Sequence, residues 1–159
     1  MGSSIAYWYI PNHIIFVDNV GDLTVPDFWE VDEQIIALMQ ESVANGISQA
    51  QTHVIVDCTE LQKLPSITQL EGGRILKYFG QPNCGWTMIV GYRKNPFLVI
   101  LSRLLTSIMR KPLHMAESLA DAQKQIAWLL PDIKDIPDIE LWKKENITTQ
   151  ISEAETKEN

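Results

Sequence analysis

The stretch HVIVDCTELQKLPSITQLEGG, residues 53 to 73, decides the fold. Val54, Ile55 and Val56 form a short apolar run without polar alternation, the pattern of a strand buried on both faces. Asp57 ends the run, and a polar connection carries the chain to Leu64. Pro65-Ser66 then opens a segment that reads as a helix, with Ile67, Leu70, Ile75, Leu76 and Phe79 apolar. Gly72-Gly73 weakens that helix by roughly 1 kcal/mol per glycine relative to alanine, so the pair marks a kink or a close approach. Strand, loop and helix in this order is one unit of a parallel α/β sheet, and ligands meet such sheets beyond the carboxyl ends of the strands.

Working outward from that unit extends the same alternation. Ala6 to Ile10 and His13 to Val20 are rich in β-branched and aromatic residues, and Pro11-Asn12 between them supplies turn chemistry, which predicts an antiparallel hairpin. Thr24 and Asp27 make a capping-box-like pair, with Pro26 in the first turn of the helix that follows. Phe28, Val31, Ile35, Leu38, Met39 and Val43 recur at helical spacing, with Glu30, Asp32, Glu33 and Gln40 elsewhere on the helix, and Asn45-Gly46 closes it. Trp86 to Tyr92 reads as another buried strand, and Asn95-Pro96 starts a helix over Phe97 to Met109. Leu113 to Ala116 reads as a short last strand, and Ser118 caps a helix that stops at Pro131. The predicted order is β-β-α-β-α-β-α-β-α: an α/β fold with a mostly parallel sheet and an antiparallel N-terminal edge hairpin. The expected organisation is a single domain over residues 1 to 135 and a polar C-terminal extension over 136 to 159, disordered at its end.

Composition narrows the function classes. A chain of 159 residues can bury roughly two thirds of its unfolded surface. Its net charge of −7 and pI near 4.9 argue against nucleic acid, whose phosphates call for clustered cations. The start MGSSIAYWYI has neither the cationic region nor the apolar core of a signal peptide, and no stretch reads as a transmembrane span, so the expectation is a cytoplasmic protein. Cys58 and Cys84 sit in or beside apolar strands and read as buried free thiols.

The element order and three short segments resemble the STAS domains, the anti-sigma-factor-antagonist fold, including their Sec14-like branch. The segments are Val54-Ile55-Val56-Asp57, Pro65-Ser66-Ile67, and the ending from Glu117 to Ala122 with Ala127-Trp128-Leu129-Leu130. The resemblance covers about residues 6 to 131. It implies a regulatory module that works by docking a partner protein. In that family a serine at the helix start, usually after an Asp-Ser pair, carries a regulatory phosphate. Here Pro65 stands for the aspartate, Ser66 for the first serine and Ile67 for the phosphorylated position. The usual phosphoserine switch is therefore not expected. Ser66 and Thr68 remain hydroxyls at a helix N-terminus, where an anion is favoured, although a cap is the simpler role for Ser66.

No motif names a catalytic reaction. Asp57 ends a parallel strand, where it can act chemically or bond the following loop through its side chain. His53 and Cys58 lie an odd number of residues apart on one strand, so their side chains point to opposite faces. The histidines and cysteines lack metal-ligand spacing, and there is no glycine-rich nucleotide loop, so neither metal nor cofactor is expected. The segment from Phe97 to Leu105 is apolar around most of a helical circumference, broken by Ser102 and Arg103. A surface helix needs only one apolar stripe. That helix is therefore deeply buried, a dimer face, or the wall of an apolar ligand pocket, and it is too short to cross a bilayer. The expected function is non-enzymatic binding of a protein partner or of a second copy. The candidate contact residues are Asp57, Thr59, Ser66, Thr68, Phe97 and Leu101. The alternative is a small apolar-ligand or lipid-binding protein.

Overall fold

The computed structural model describes residues 1–47, 51–66, 77–109 and 111–148. Among them the chain forms β1 (Ser3–Ile10), β2 (Ile14–Asp22), α1 (Val25–Ala44), β3 (Thr52–Lys63), β4 (Cys84–Val90), α2 (Pro96–Met109), β5 (Leu113–Ala116), α3 (Leu119–Leu129) and α4 (Ile139–Lys143). The helix expected from Ser66 lies outside the described residues up to its end, where Lys77–Gly80 is a 3-10 turn.

The five strands stand in sequence order, β1-β2-β3-β4-β5, with β1 antiparallel to β2 and every other pair parallel. Both faces are covered, which is why β3 and β4 read as continuous apolar runs. On one face Ile15, Val17 and Val54 pack beneath Val31, Ile35 and Met39 of α1, with Tyr78 and Phe79 of the 3-10 turn. Towards the carboxyl end of the same face, Cys58 and Ile89 meet Leu98 of α2. On the other face Phe16, Ile55, Met88 and Val90 pack against Ala122 and Ile126 of α3 and Ile139 of α4.

The chain signals act locally as their chemistry predicts. The Asp27 carboxylate accepts from both the Thr24 N–H (2.6 Å) and the Thr24 hydroxyl (2.7 Å) at the start of α1. At its end Gly46, with φ +87°, lets Gly46 N–H reach Val43 O and Ile47 N–H reach Ser42 O, which satisfies two terminal carbonyls. Ser118 Oγ accepts from Asp121 N–H at the start of α3.

Three sequence expectations change. Val43, placed on the apolar face of α1, is exposed, and its neighbour Ser42 is buried instead. Ser42 belongs to a buried polar knot: its hydroxyl lies 3.0 Å from Thr52 Oγ1 and accepts from Asn83 Nδ2 at 2.6 Å, while Asn83 Nδ2 also reaches Met39 O. Asp32, read as a polar-face residue, is buried and accepts from the N–H groups of Lys77 and Tyr78. Burial raises its carboxyl above the ordinary value, against those two hydrogen bonds. The polar stretch expected from residue 136 carries core residues, because Ile139 and Ile147 are buried and Trp142 packs with them. Residues 149 to 159 lie outside the described residues.

Candidate functional site

β3 is the long strand of the sheet, and its two edges end at different places. Its pairing with β4 stops at Asp57↔Val90, whereas its pairing with β2 runs on to Asp22↔Lys63. The two-stranded overhang projects past β4 and is tied at its tip by Leu23 N–H to Lys63 O (2.9 Å). Beside it lie the first turn of α1 and the residue before α2. Together they bound an open cleft of about 930 Å³, lined among others by Thr24, Pro26, Lys63, Leu64, Ser66 and Asn95. This is the carboxyl end of the parallel strands, the place where α/β sheets receive what they bind.

The base of the overhang is held by a glycine. Gly91 follows β4 with φ +83°, and a Cβ there would stand 3.1 Å from the Thr59 backbone. From the same loop, Lys94 Nζ donates to Thr59 O at 3.2 Å.

Of the six candidate residues, the structure describes the side chains of Asp57, Thr59 and Ser66, which lie at different places. Ser66 lines the cleft and is exposed. Thr59 lies near the base of the overhang, engaged through its backbone, with its N–H on Asp57 Oδ1 at 3.0 Å. Asp57 is 1% exposed and faces the opposite side of the sheet, under α4. Thr68 lies outside the described residues, as do the side chains of Phe97 and Leu101. Lys63 and Leu64 were not among the expected contacts. The signal for them was the polar continuation of the strand past Asp57, which reads as a connection but is an overhanging ribbon.

Sequence reading also missed the partner of Asp57. Asp18 and Asp57 are register neighbours on adjacent strands, and both are buried. Lys143 of α4 reaches down to them, its Nζ 2.8 Å from Asp57 Oδ2, 3.1 Å from Asp18 Oδ1 and 3.2 Å from Glu60 Oε2. Burial alone would lower the lysine pKa, but the hydrogen bond and charge of Asp57, then Asp18, outweigh it and raise the ammonium above its ordinary value. Burial raises Asp18, opposed by Lys143 and reinforced by Asp57 and Glu60. Asp18 was visible in sequence as a charge in phase with Ile14 and Phe16, on a core-facing position.

Cys58, Cys84 and His53 are buried. Burial, then the neighbouring Asp57 charge, pushes the Cys58 thiol up to about 12, against a weak contact from Asn19. Burial pushes Cys84 up to about 11 despite Lys111. His53 Nδ1 accepts from Trp86 N–H at 3.0 Å, and its ring stacks on the Trp86 ring with centroids 4.4 Å apart. His53 and Cys58 lie on opposite faces of β3, His53 against Trp86 and Cys58 against Leu98. Among the described residues no group of three His, Cys, Asp or Glu side chains is placed to hold a metal ion. None of the described helices is long and apolar enough to cross a membrane.

No family model matches the chain, and no curated protein matches it. Among solved structures it is similar to an uncharacterized protein from the DUF3478 family with a SpoIIAA-like fold, from Shewanella loihica PV-4. The two share 19% sequence identity over 78% of this chain and 92% of that one, with a TM-score of 0.52. The fold is SpoIIAA-like. The antiparallel β1-β2 edge, the parallel strands after it and the flanking helices are thus the STAS-like architecture expected from the sequence. Within the SpoIIAA-like frame, the cleft opens at the end of β2 and β3, and Ser66 sits on its rim.

Proposed function

We propose that this SpoIIAA-like domain is a non-enzymatic, cytoplasmic binding module that acts through protein–protein contacts, without the phosphoserine switch. The observation that carries the reading is the open cleft of about 930 Å³ at the overhanging end of β2 and β3. Its walls mix apolar Leu64 and Pro26 with Lys63, Thr24 and Asn95, a composition suited to a polar-rimmed protein contact. The buried thiols, the neutral His53 and the paired Asp57 offer no activated nucleophile to that cleft. Sedimentation velocity of the purified chain, with affinity capture from an extract of its own host, tests the proposal. The expected result is a dimer or a captured partner. A strict monomer that captures nothing contradicts it.

One observation favours a second reading, an apolar ligand. On α2, whose sequence is apolar nearly all round, Ile100 is 60% exposed. A helix of that kind normally has its whole circumference covered. Oleate and phosphatidylglycerol vesicles should then raise the melting temperature, and the gently purified protein should carry a hydrophobic molecule visible by native mass spectrometry. A clean mass and no thermal shift remove this reading.

A further inference from the structure

The Lys143 cluster does something that neither the fold nor the cleft requires. Asp18 and Asp57 stand side by side on the two strands at the middle of the β1–β3 half of the sheet, at positions where Phe16 and Ile55 are core. The cation that faces them comes from α4, a single helical turn of five residues that continues as a π-helical turn over Lys144–Thr148. The same short element inserts the Trp142 ring edge-on between Tyr9 (centroids 5.0 Å apart) and Phe16 (5.3 Å). It reaches this position through residues 131 to 138, which have no regular structure, begin and nearly end in proline, and hold Asp135 in the left-handed region at φ +58°. The tether is fastened at its far end, where the Tyr9 hydroxyl donates to Pro137 O and Gln123 Oε1 accepts from Ile139 N–H at 2.8 Å.

From this arrangement we propose that α4 is a charge-latched lid: it opens as a unit about the 131–137 segment, and the Lys143 contact with Asp18 and Asp57 decides whether it is shut. The physical reason is the choice of chemistry. Apolar residues of similar volume at these positions would hold the element at least as firmly, because two charges must give up water to pair. A buried pair of carboxylates makes closure conditional instead. With α4 down, the acids have their counter-ion. With α4 lifted, water reaches Asp18 and Asp57, so opening is not opposed by stranded charge. A lid held by apolar contact alone would lack that compensation. Lifting α4 uncovers Tyr9, Phe16 and Ile55, a floor on the face of the sheet away from the cleft.

Hydrogen exchange on the whole chain tests the lid. In the wild type, the amides of residues 139 to 147 should exchange at least about tenfold faster than those of residues 53 to 57, through an opening with a smaller denaturant dependence because it uncovers less surface. Lys143→Met keeps the length of the stem and removes the charge. It should speed exchange at 139 to 147 by a further tenfold or so, while residues 53 to 57, protected until the sheet itself opens, speed by no more than the same factor and stay the slower set. The proposal falls if Lys143→Met leaves α4 exchange unchanged, or if α4 and β3 then exchange at one rate with one denaturant dependence. Should that variant not fold, the wild-type profile decides alone: α4 and β3 exchanging in one denaturant-sensitive step overturns the lid.

Discussion

His53 shows how a residue that invites a catalytic reading is explained by packing. Its Nδ1 is already an acceptor for Trp86 N–H, so the ring is held in one neutral tautomer. Burial first, then the proximity of His13 and His114, lowers its pKa to about 4. The unfolded chain titrates near 6.5 at this residue, so it takes up the proton first on acidification. The contribution of His53 to stability is therefore complete above about pH 6.5 and is lost as the pH falls towards 4, by on the order of 3 kcal/mol. Urea unfolding at pH 7.5 and pH 4.5 should show this loss, and His53→Gln, which keeps an acceptor for Trp86 N–H but does not titrate, should shrink it. An unchanged pH dependence in the variant would assign the acid sensitivity elsewhere. Cys58 gives a second check at this scale. A thiol pushed up to about 12 and buried should resist iodoacetamide at pH 8 in the native protein and react once urea unfolds it.

At the scale of elements, the sequence foretold most of what is seen, and the exceptions have physical causes. The hairpin, the α1 caps and the buried β3 and β4 runs are local signals, because turn residues, cap side chains and apolar runs act within a few positions. What could not be read was pairing at a distance. Ser42, Thr52 and Asn83 come from three elements and meet at the amino end of the parallel strands, so no periodicity within α1 marks Ser42 as buried. Asn83→Ala would remove the Nδ2 donor that Ser42 Oγ, Thr52 Oγ1 and Met39 O share in a buried site. It should cost about 1–3 kcal/mol, read as a fall in melting temperature without loss of the folded circular dichroism spectrum. A change under about 0.5 kcal/mol would mean the knot contributes nothing beyond packing. The α4 element escaped reading for the same reason. Its apolar residues Ile139, Trp142 and Ile147 sit among Asp138, Glu140, Lys143, Lys144 and Glu145, and only the sheet beneath them shows which side is inside.

At the scale of the whole molecule, two of the described candidate residues, Asp57 and Ser66, lie apart. Asp57 belongs with Asp18 and Lys143 beneath α4, and Ser66 belongs with Lys63 and Leu64 on the cleft. A one-dimensional stretch ending in Asp57 and reopening at Ser66 suggested one site, but the strand alternation that turns Asp57 away was already in the chain. The proposed docking place is the cleft at the carboxyl end of β2 and β3. It is tested most directly by matched charge reversals on the two faces. Lys63→Glu alters the cleft, and Lys124→Glu alters an exposed position on α3 with the same change in net charge. Each variant and the wild type would be used to capture partners from the host extract, with the bound proteins quantified by mass spectrometry. The account predicts a partner held by the wild type and by Lys124→Glu and lost, or weakened at least about tenfold, with Lys63→Glu. Equal capture by both variants, or loss with Lys124→Glu alone, would contradict it.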